Sequence, residues 1–276
     1  MSNESEATHF DDNWTKIDTS AESQFFVRFL DATRARMIAA AKRDPATALA
    51  HLALSPGLCV LDVGCGVGDL TAIVARLVAP GGRSVGLDLS EVMINEAKRR
   101  IEGNGPKPFF ECGDAQQLRF TTGTFDRTMA TQLLVHVLDP QLALDELCRV
   151  TKRGGLIVLG EMDWDTLVIA LDDRALARRF THMFCDGIRN PLIVRELAGM
   201  LRARGIVDLQ FLPQTMLFEN FEFANEWLLA PAFRRARRSG ALSSFEIDGM
   251  GEELSRRAAE GRFFAASTFY TIVAKP

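Results

Sequence analysis

The sequence lacks any apolar run that approaches the roughly 18 residues of a transmembrane helix. Its net charge is −4, whereas nucleic-acid-binding domains usually carry an excess of basic residues. Its five cysteines are scattered without a C-x-x-C pair, a pattern that is typical of reduced thiols rather than of a zinc site or a disulfide framework. The polar residues 1–14 do not resemble a secretory signal. We therefore expect a cytoplasmic protein with no membrane partner, no nucleic-acid partner and no bound metal.

The composition favours one large globular unit. The chain has 276 residues, of which 47% are hydrophobic, enough for a single α/β domain with added cover elements. Strand-like apolar segments alternate with segments of helical periodicity. The predicted strands are "LCVLDV", "SVGLDL", "PFFECG", "FDRTMATQLL", "LIVLGEM", "VDLQFLPQTML" and "STFYTIVAKP". Such alternation predicts a doubly wound parallel sheet that is covered on both faces.

A glycine-rich turn, "VLDVGCGVGDL", follows the first predicted strand and brings backbone close to a ligand. The dinucleotide fingerprint G-x-G-x-x-G would require a third glycine where this chain has Asp69. Asp62 precedes the turn, and two carboxylates flanking it would repel a pyrophosphate. They suit a ligand with cationic groups, such as S-adenosylmethionine, which carries a sulfonium and an ammonium group and no phosphate.

Two further carboxylates follow the next strands. Asp88 ends the second strand about 20 residues after the glycines, where an acid accepts hydrogen bonds from ribose hydroxyls. A dehydrogenase shares this feature, and Asp88 could instead cap the turn before Ser90. Asp114 follows the third strand, where an exocyclic amine could donate to it. Its alternative interpretation is an ordinary turn aspartate.

The segments "VLDVGCGVGD", "GLDLS", "GDAQQL", "FDRTMATQLLVHV" and "TKRGGLIVLGE", in this order, closely resemble class I S-adenosylmethionine-dependent methyltransferases. The nearer resemblance is to the ubiquinone/menaquinone-type group that acts on small molecules. It is strong over residues 58–161. It implies a Rossmann-like sheet of seven strands whose last strand is antiparallel, and S-adenosylmethionine as the cofactor.

The resemblance also implies roles for individual residues. Asp62 supports the methionine end of the cofactor and Gly64, Cys65 and Gly66 line it; Asp88 binds the ribose hydroxyls, with Leu89 and Met93 near the adenine; Asp114 and Ala115 hold the adenine amine; Thr131 and Gln132 close the site. Two of these residues have structural alternatives. Met93 could simply pack its helix, and Cys65 could be a small residue that fits the turn.

Three segments fall outside the core of such a fold. The connection over residues 219–262 is longer than in a minimal methyltransferase and predicts an added helical cover. We divide the chain into N-terminal helices of the lid (1–56), the cofactor-binding core (57–162), a lid insertion (163–190), core (191–218), a second lid insertion (219–262) and the last core strand (263–276). Ligands of open α/β sheets bind over the carboxyl ends of the strands, so these segments are expected to enclose a pocket. Their aromatic residues favour a largely apolar acceptor, natural-product-like or quinone-like, unless they only build the core of the lid.

The catalytic candidates are His136, Asp163 and Asp165. An oxygen or nitrogen acceptor loses a proton around methyl transfer, and imidazole has an unperturbed pKa of about 6.5. His136 could equally be a structural histidine, since the family carries it whatever the acceptor. Asp163 and Asp165 follow the fifth strand, with Asp163 nearer to its end, and Asp165 could cap the next segment.

The sequence therefore predicts an S-adenosylmethionine-dependent methyltransferase that acts on a small molecule. The alternatives are a family member that keeps the cofactor but catalyses a cyclisation or decarboxylation, a nicotinamide-dependent dehydrogenase, and a non-catalytic sensor of an adenosyl ligand. The acceptor, the acceptor atom and the oligomeric state have no signature in the sequence.

Overall fold

Seven strands form a single mixed sheet in the computed structural model, which describes residues 10–20, 23–41, 48–101 and 105–276. The strands are β1 Cys59–Val63, β2 Arg83–Asp88, β3 Phe109–Cys112, β4 Phe125–Thr131, β5 Thr151–Ile169, β6 Leu209–Leu217 and β7 Ala265–Ala274. Their order is β3-β2-β1-β4-β5-β7-β6. The first five are parallel, and β7 runs antiparallel to both β5 and β6. The predicted Rossmann-like α/β fold with an antiparallel last strand is confirmed.

Helices cover the sheet and fill the long connections. They are a 3₁₀ helix Phe10–Thr19, α1 Ser23–Ala41, α2 Ala48–His51, α3 Asp69–Leu77, α4 Glu91–Arg99, α5 Pro140–Val150, α6 Arg174–Cys185, α7 Ile193–Ala203, α8 Phe221–Ala224, a π-helical turn Asn225–Leu229, α9 Ala230–Ser239 and α10 Ser244–Ala259. Local sequence explains several helix starts. Asp139 accepts hydrogen bonds from the first backbone N–H groups of α5, and Ser243 forms a capping box with Glu246 at α10.

The central strands are apolar on both faces, as expected of parallel strands that lie between two helical layers. Leu61 and Leu159 belong to one core cluster, whereas Val60 and Val158 belong to the cluster on the other face. All four side chains are 0% exposed. Because both faces are buried, the sheet lies in the middle of the molecule, and the ends of its strands are where a ligand site can form.

Strand β5 is longer than the sequence predicts. The apolar run ends at Met162, but β5 continues to Ile169 after an irregularity between Asp163 and Val168. The reason is tertiary, because β7 continues alongside and pairs Val168 with Ala266. The segment 163–190 therefore begins as strand and becomes helical only at α6.

The chain reverses its direction of winding between β1 and β4. Strand β1 pairs with β2 on one side and with β4 on the other, so the connections leave the carboxyl ends of β1 and β4 in opposite directions. A crevice at such a point is the usual ligand site of an open α/β sheet. The residues that the sequence predicts as cofactor ligands lie at the carboxyl ends of the strands around this crevice.

Candidate cofactor and acceptor site

The turn after β1 (residues 64–68, the cofactor turn) folds back over the end of β2. The backbone N–H groups of Gly64 and Cys65 donate to the Leu87 carbonyl at 2.7 and 3.0 Å. Gly64 has a φ of +74°, and a Cβ atom there would lie 2.9 Å from Cδ1 of Leu133. Glycine is thus required both by the left-handed backbone and by the close approach of the segment after β4.

Two carboxylates fix the ends of this turn. Asp62 is 2% exposed and accepts a hydrogen bond of 2.6 Å from the Thr71 hydroxyl. Asp88 accepts from the Gly66 backbone N–H at 2.8 Å and from the Ser90 N–H at 3.0 Å. Asp88 therefore does cap the turn before Ser90, and it also holds the glycine turn. The carboxylate lies at the end of β2, where the sequence predicts the ligand of the ribose hydroxyls.

The two apolar residues predicted near adenine differ in exposure. Leu89 is 49% exposed at the end of β2, whereas Met93 is 1% exposed. Met93 packs in a cluster with Val67 and Phe26. Leu89 thus offers an exposed apolar surface to the adenine ring of the predicted cofactor. Met93 instead packs in the core below the predicted adenine site.

The predicted adenine-amine residues lie in the turn after β3. Asp114 accepts from the Gln116 backbone N–H at 2.8 Å and from its side-chain amide at 3.1 Å. The Gln116 amide oxygen accepts from the Asp139 N–H at 2.8 Å. Ala115 is 6% exposed. The turn is therefore fixed by its own hydrogen bonds, as the turn-aspartate interpretation predicts. This arrangement is compatible with Asp114 accepting a further hydrogen bond from an adenine amine.

Thr131 and Gln132 give the most direct indication of a ligand. Thr131 Oγ1 and Gln132 Nε2 are buried, and neither has a hydrogen-bond partner among the described residues. Gln132 has a φ of +53°, and its N–H donates to the Gly160 carbonyl at 2.7 Å. Buried polar atoms nearly always have a partner. These two, together with the carboxylates at the ends of β1, β2 and β3, fit a ligand that carries cationic groups and hydroxyls.

Aromatic side chains from outside the core close over the segment after β4. Trp14 stacks on His136 with ring centroids 5.3 Å apart and also contacts Phe26 and Phe29. Trp227, from the 219–262 connection, lies 5.6 Å from Phe29. Phe25 lies 5.3 Å from Trp227 and completes this set. We call Trp14, Phe25, Phe26, Phe29 and Trp227 the aromatic cover.

Asp18 ties the N-terminal segment to the start of α4. Its carboxylate accepts a short hydrogen bond from the Ser90 hydroxyl and bonds of 2.8 and 3.2 Å from the N–H groups of Glu91 and Val92. Burial raises the pKa of Asp18, but these hydrogen bonds lower it more, and the net pKa lies below the ordinary 3.8. The sequence analysis missed this contact, because its partners are 73 residues away and no local pattern links them.

Asp163 and Asp165 were predicted to follow the fifth strand, but β5 continues past both of them, and they share one partner. Arg195 of α7 donates to Asp163 at 2.8 and 3.0 Å and to Asp165 at 2.9 Å. These hydrogen bonds, the one to Asp163 first, raise the pKa of Arg195. The Asp163 side chain is 6% exposed. Arg195 therefore binds Asp163 through two hydrogen bonds and Asp165 through one, and both aspartates are engaged in ion pairs with it.

Glu161 is a second residue that the sequence analysis missed. It is 0% exposed, and its Oε1 accepts from the N–H groups of Leu133 and Leu134 at 3.0 and 2.7 Å. The available signal was an acidic residue inside the apolar run of β5, in a position where a solvated side chain would be out of place.

The described residues contain no group of three or more histidine, cysteine, aspartate or glutamate side chains placed to hold a metal ion. Within the same part of the chain, no helix is both long and apolar enough to cross a membrane.

Comparisons with known proteins identify relatives over most of the chain. A family described as "Methyltransferase domain" matches residues 60–155. An uncharacterized 37.1 kDa protein of a Streptomyces fradiae transposon is 36% identical over 238 residues, which cover 86% of this chain and 68% of that protein. A demethylmenaquinone methyltransferase of Geobacillus stearothermophilus is 32% identical over 171 residues, which cover 56% of this chain and 73% of that protein.

Solved structures confirm the fold. The YcgJ protein from Bacillus subtilis superposes with a TM-score of 0.57 at 16% identity. The superposition covers 82% of this chain and 94% of that one.

Proposed function

The chain belongs to the class I S-adenosylmethionine-dependent methyltransferases, and from this membership we propose that it methylates a small, largely apolar acceptor at an oxygen, nitrogen or carbon atom. S-adenosylmethionine is its cofactor, and when bound it supplies a methyl group on an electrophilic sulfonium. The observation that carries the proposal on the acceptor is the aromatic cover, which closes on His136 beside the predicted cofactor site.

We assign the cofactor contacts to the residues at the strand ends. Asp88 accepts from the ribose hydroxyls, and Leu89 offers its exposed face to the adenine while Asp114 receives the adenine amine. Asp62 and the cofactor turn serve the methionine end. The buried polar atoms of Thr131 and Gln132 find their partners in the ligand, which would remove the cost of leaving them unpaired.

The acceptor is expected to be apolar because the cover is built of rings rather than of charged side chains. Small-molecule pockets are mostly lined by apolar and aromatic groups, with a few polar groups that fix orientation. The Geobacillus stearothermophilus relative is named for a quinone precursor, which supports a quinone-like or natural-product-like ring system as the acceptor class.

The segments 163–190 and 219–262 and the described residues of segment 1–56 (10–20, 23–41 and 48–56) act as a lid in this proposal. Trp14 and Trp227 come from different segments and meet through Phe29. Closing a site removes water, which would compete as a methyl acceptor and would weaken the electrostatic interactions inside. Most of the rate then comes from holding acceptor and methyl carbon in line at close approach.

His136 is the proton acceptor that we favour among the three candidates. Asp163 and Asp165 are both bound by Arg195, and protonating either would break an ion pair. His136 lies under Trp14 in the segment after β4, on the side where the acceptor enters.

The test is to detect S-adenosylhomocysteine by mass spectrometry after incubation with S-adenosylmethionine and a panel of acceptors. The panel should contain hydroxylated quinols, phenols, polar amino acids and short nucleic acids. We expect product formation with the aromatic acceptors alone. Methylation of the polar or nucleic-acid acceptors in preference to the aromatic ones would refute the proposed acceptor class.

A further inference from the structure

Glu161 is a fully buried carboxylate that no cofactor or catalytic role yet explains. It lies inside the apolar run of β5, one residue before its end, and directs Oε1 at the backbone of the segment after β4, residues 132–136, which we call the 132–136 loop. Leu133 N and Leu134 N donate to it at 3.0 and 2.7 Å. Leu134 is 0% exposed, so its N–H would have no access to water if the carboxylate were removed.

The contact continues from this loop to the cofactor turn. Leu133, held through its N–H by Glu161, places its side chain against Gly64, where a Cβ atom would lie 2.9 Å away. The Leu133 carbonyl accepts from the N–H groups of His136 and Val137 at 2.9 and 3.2 Å. One anchored residue therefore touches the turn that serves the methionine end and also fixes the backbone of the histidine on the acceptor side.

The start of the 132–136 loop is held by residues outside the loop. Gln132 has a left-handed φ of +53°, which is uncommon for a residue other than glycine and has to be maintained by its surroundings. Its N–H is bound by the Gly160 carbonyl, and the next two N–H groups are bound by Glu161. Two acceptor atoms near the end of β5, the Gly160 carbonyl and Glu161 Oε1, thus bind three successive N–H groups at the start of the loop.

We propose that Glu161 is a positioning residue, which holds the 132–136 loop against the cofactor turn and so couples cofactor binding to the geometry of the acceptor side. The inference rests on the cofactor site of the proposed function and is independent of the acceptor. Glu161 acts through Leu133 rather than through contact with the reacting atoms.

The wild-type protein provides a first test, because coupling is reciprocal. If the loop supports the cofactor, then bound S-adenosylhomocysteine supports the loop. Hydrogen exchange at the Leu133 and Leu134 amides should slow by roughly tenfold or more at saturating S-adenosylhomocysteine. The Cys59 amide at the start of β1, which donates to Asp126 at 2.9 Å at the end of the strands opposite the site, is the internal reference and should slow far less. Equal slowing at all three amides, or none, would overturn the proposal.

A double-mutant cycle on the affinity for S-adenosylhomocysteine is the second test. Glu161→Ala should weaken binding by about tenfold, the scale of leaving a buried donor unpaired. Glu161→Gln, which keeps an acceptor oxygen, should recover most of the loss. Leu133→Ala should also weaken binding, and the double variant should be no weaker than the worse single variant by more than about twofold. Effects that multiply, or a folded Glu161→Ala variant that binds as the wild type does, would contradict positioning through Leu133.

The matched control is Asp126→Ala. Asp126 also accepts a backbone N–H, and it lies near the start of β4, at the end of the sheet opposite the cofactor turn. Its replacement should leave the affinity for S-adenosylhomocysteine unchanged. No acceptor is turned over in either test, so a wrong acceptor class would leave these results as they are, and the two proposals fail separately.

Discussion

Single residues at the strand ends hold the backbone in place at the positions that we propose for ligand binding. Asp88 is the clearest case, because it joins the cofactor turn to the start of α4 through two backbone N–H groups. A ribose would bind to a carboxylate that is already oriented. Preorganisation of this kind reduces the entropy lost on binding.

Asp88→Ala should weaken S-adenosylhomocysteine binding by about 1.5–3 kcal/mol, the scale for losing hydrogen bonds to a charged group. Calorimetric titration measures it. Asp139→Ala is the matched control, since Asp139 also accepts two backbone N–H groups but does so at α5. An Asp88→Ala variant that is folded and binds as the wild type does would remove Asp88 from the cofactor site.

Asp163→Asn and His136→Asn should separate stability from catalysis. Asp163→Asn weakens a bidentate pair with Arg195, whose side chain is 44% exposed, so we expect a loss of about 1–2 kcal/mol in the free energy of unfolding. Its turnover should change only a few-fold. His136→Asn should lose roughly 10²–10⁴-fold in turnover at unchanged cofactor affinity.

Denaturant titration and turnover of the identified acceptor measure the two effects. If Asp163→Asn loses turnover on that scale while His136→Asn retains it, the assignment of the proton acceptor is reversed. If neither variant loses turnover, methyl transfer proceeds by positioning alone.

At the scale of the elements, the N-terminal segment contacts helix α4 at both ends of that helix. Asp18 accepts from the first N–H groups of α4. Near the other end, Arg100 donates to Asp31 of α1 at 2.6 and 3.1 Å. An acidic side chain at a helix N-terminus is also favoured by the helix dipole. The segment that carries Trp14 is therefore attached next to Asp88, the predicted ribose ligand.

Asp18→Asn should loosen this attachment and speed the dissociation of S-adenosylhomocysteine, because an amide accepts the same N–H groups more weakly than a carboxylate. Stopped-flow displacement would give the rate, and Asp31→Asn is the matched control farther from Asp88. Equal dissociation rates in Asp18→Asn and in the wild type would show that the segment does not gate the cofactor.

The same substitution has a defined pH dependence. The pKa of Asp18 is lowered on folding, so its contribution to stability is present above the ordinary pKa of 3.8 and is lost as the pH falls through the lower folded value. The difference in unfolding free energy between wild type and Asp18→Asn should be constant near neutral pH and shrink in acid. A difference that grows on acidification would contradict the hydrogen bonds described for Asp18.

At the scale of the whole molecule, the features that the sequence predicts are those that depend on residues close together in the chain. The glycine turn, the Asp88 cap on the Ser90 N–H and the apolar strands all depend on neighbours in sequence. The parallel sheet follows from them, whereas the antiparallel last strand is implied by the family resemblance. The continuation of β5 beyond Met162 depends on β7, about a hundred residues later, and could not be predicted. The same holds for Asp18, and for Glu161, whose partners lie 27 and 28 residues away.

The aromatic cover and the catalytic candidates likewise combine features that the sequence predicts with contacts that it does not predict. The sequence indicates which segments lie outside the core and that they contain aromatic residues, but the contact of Trp14 with His136 joins residues on separate segments. The pairing of Asp163 with Arg195 is likewise a contact between β5 and α7. Both depend on tertiary packing, which no local pattern specifies.

The most direct test of methyl transfer to an apolar acceptor is a reaction with methyl-labelled S-adenosylmethionine and an aromatic acceptor such as a demethylated quinol. Mass spectrometry should find the label on the acceptor, with one S-adenosylhomocysteine formed per product. The folded Asp88→Ala variant should form far less of both at the same cofactor concentration. An acceptor that is converted without gaining the label and without S-adenosylhomocysteine would contradict the account and indicate chemistry other than methyl transfer.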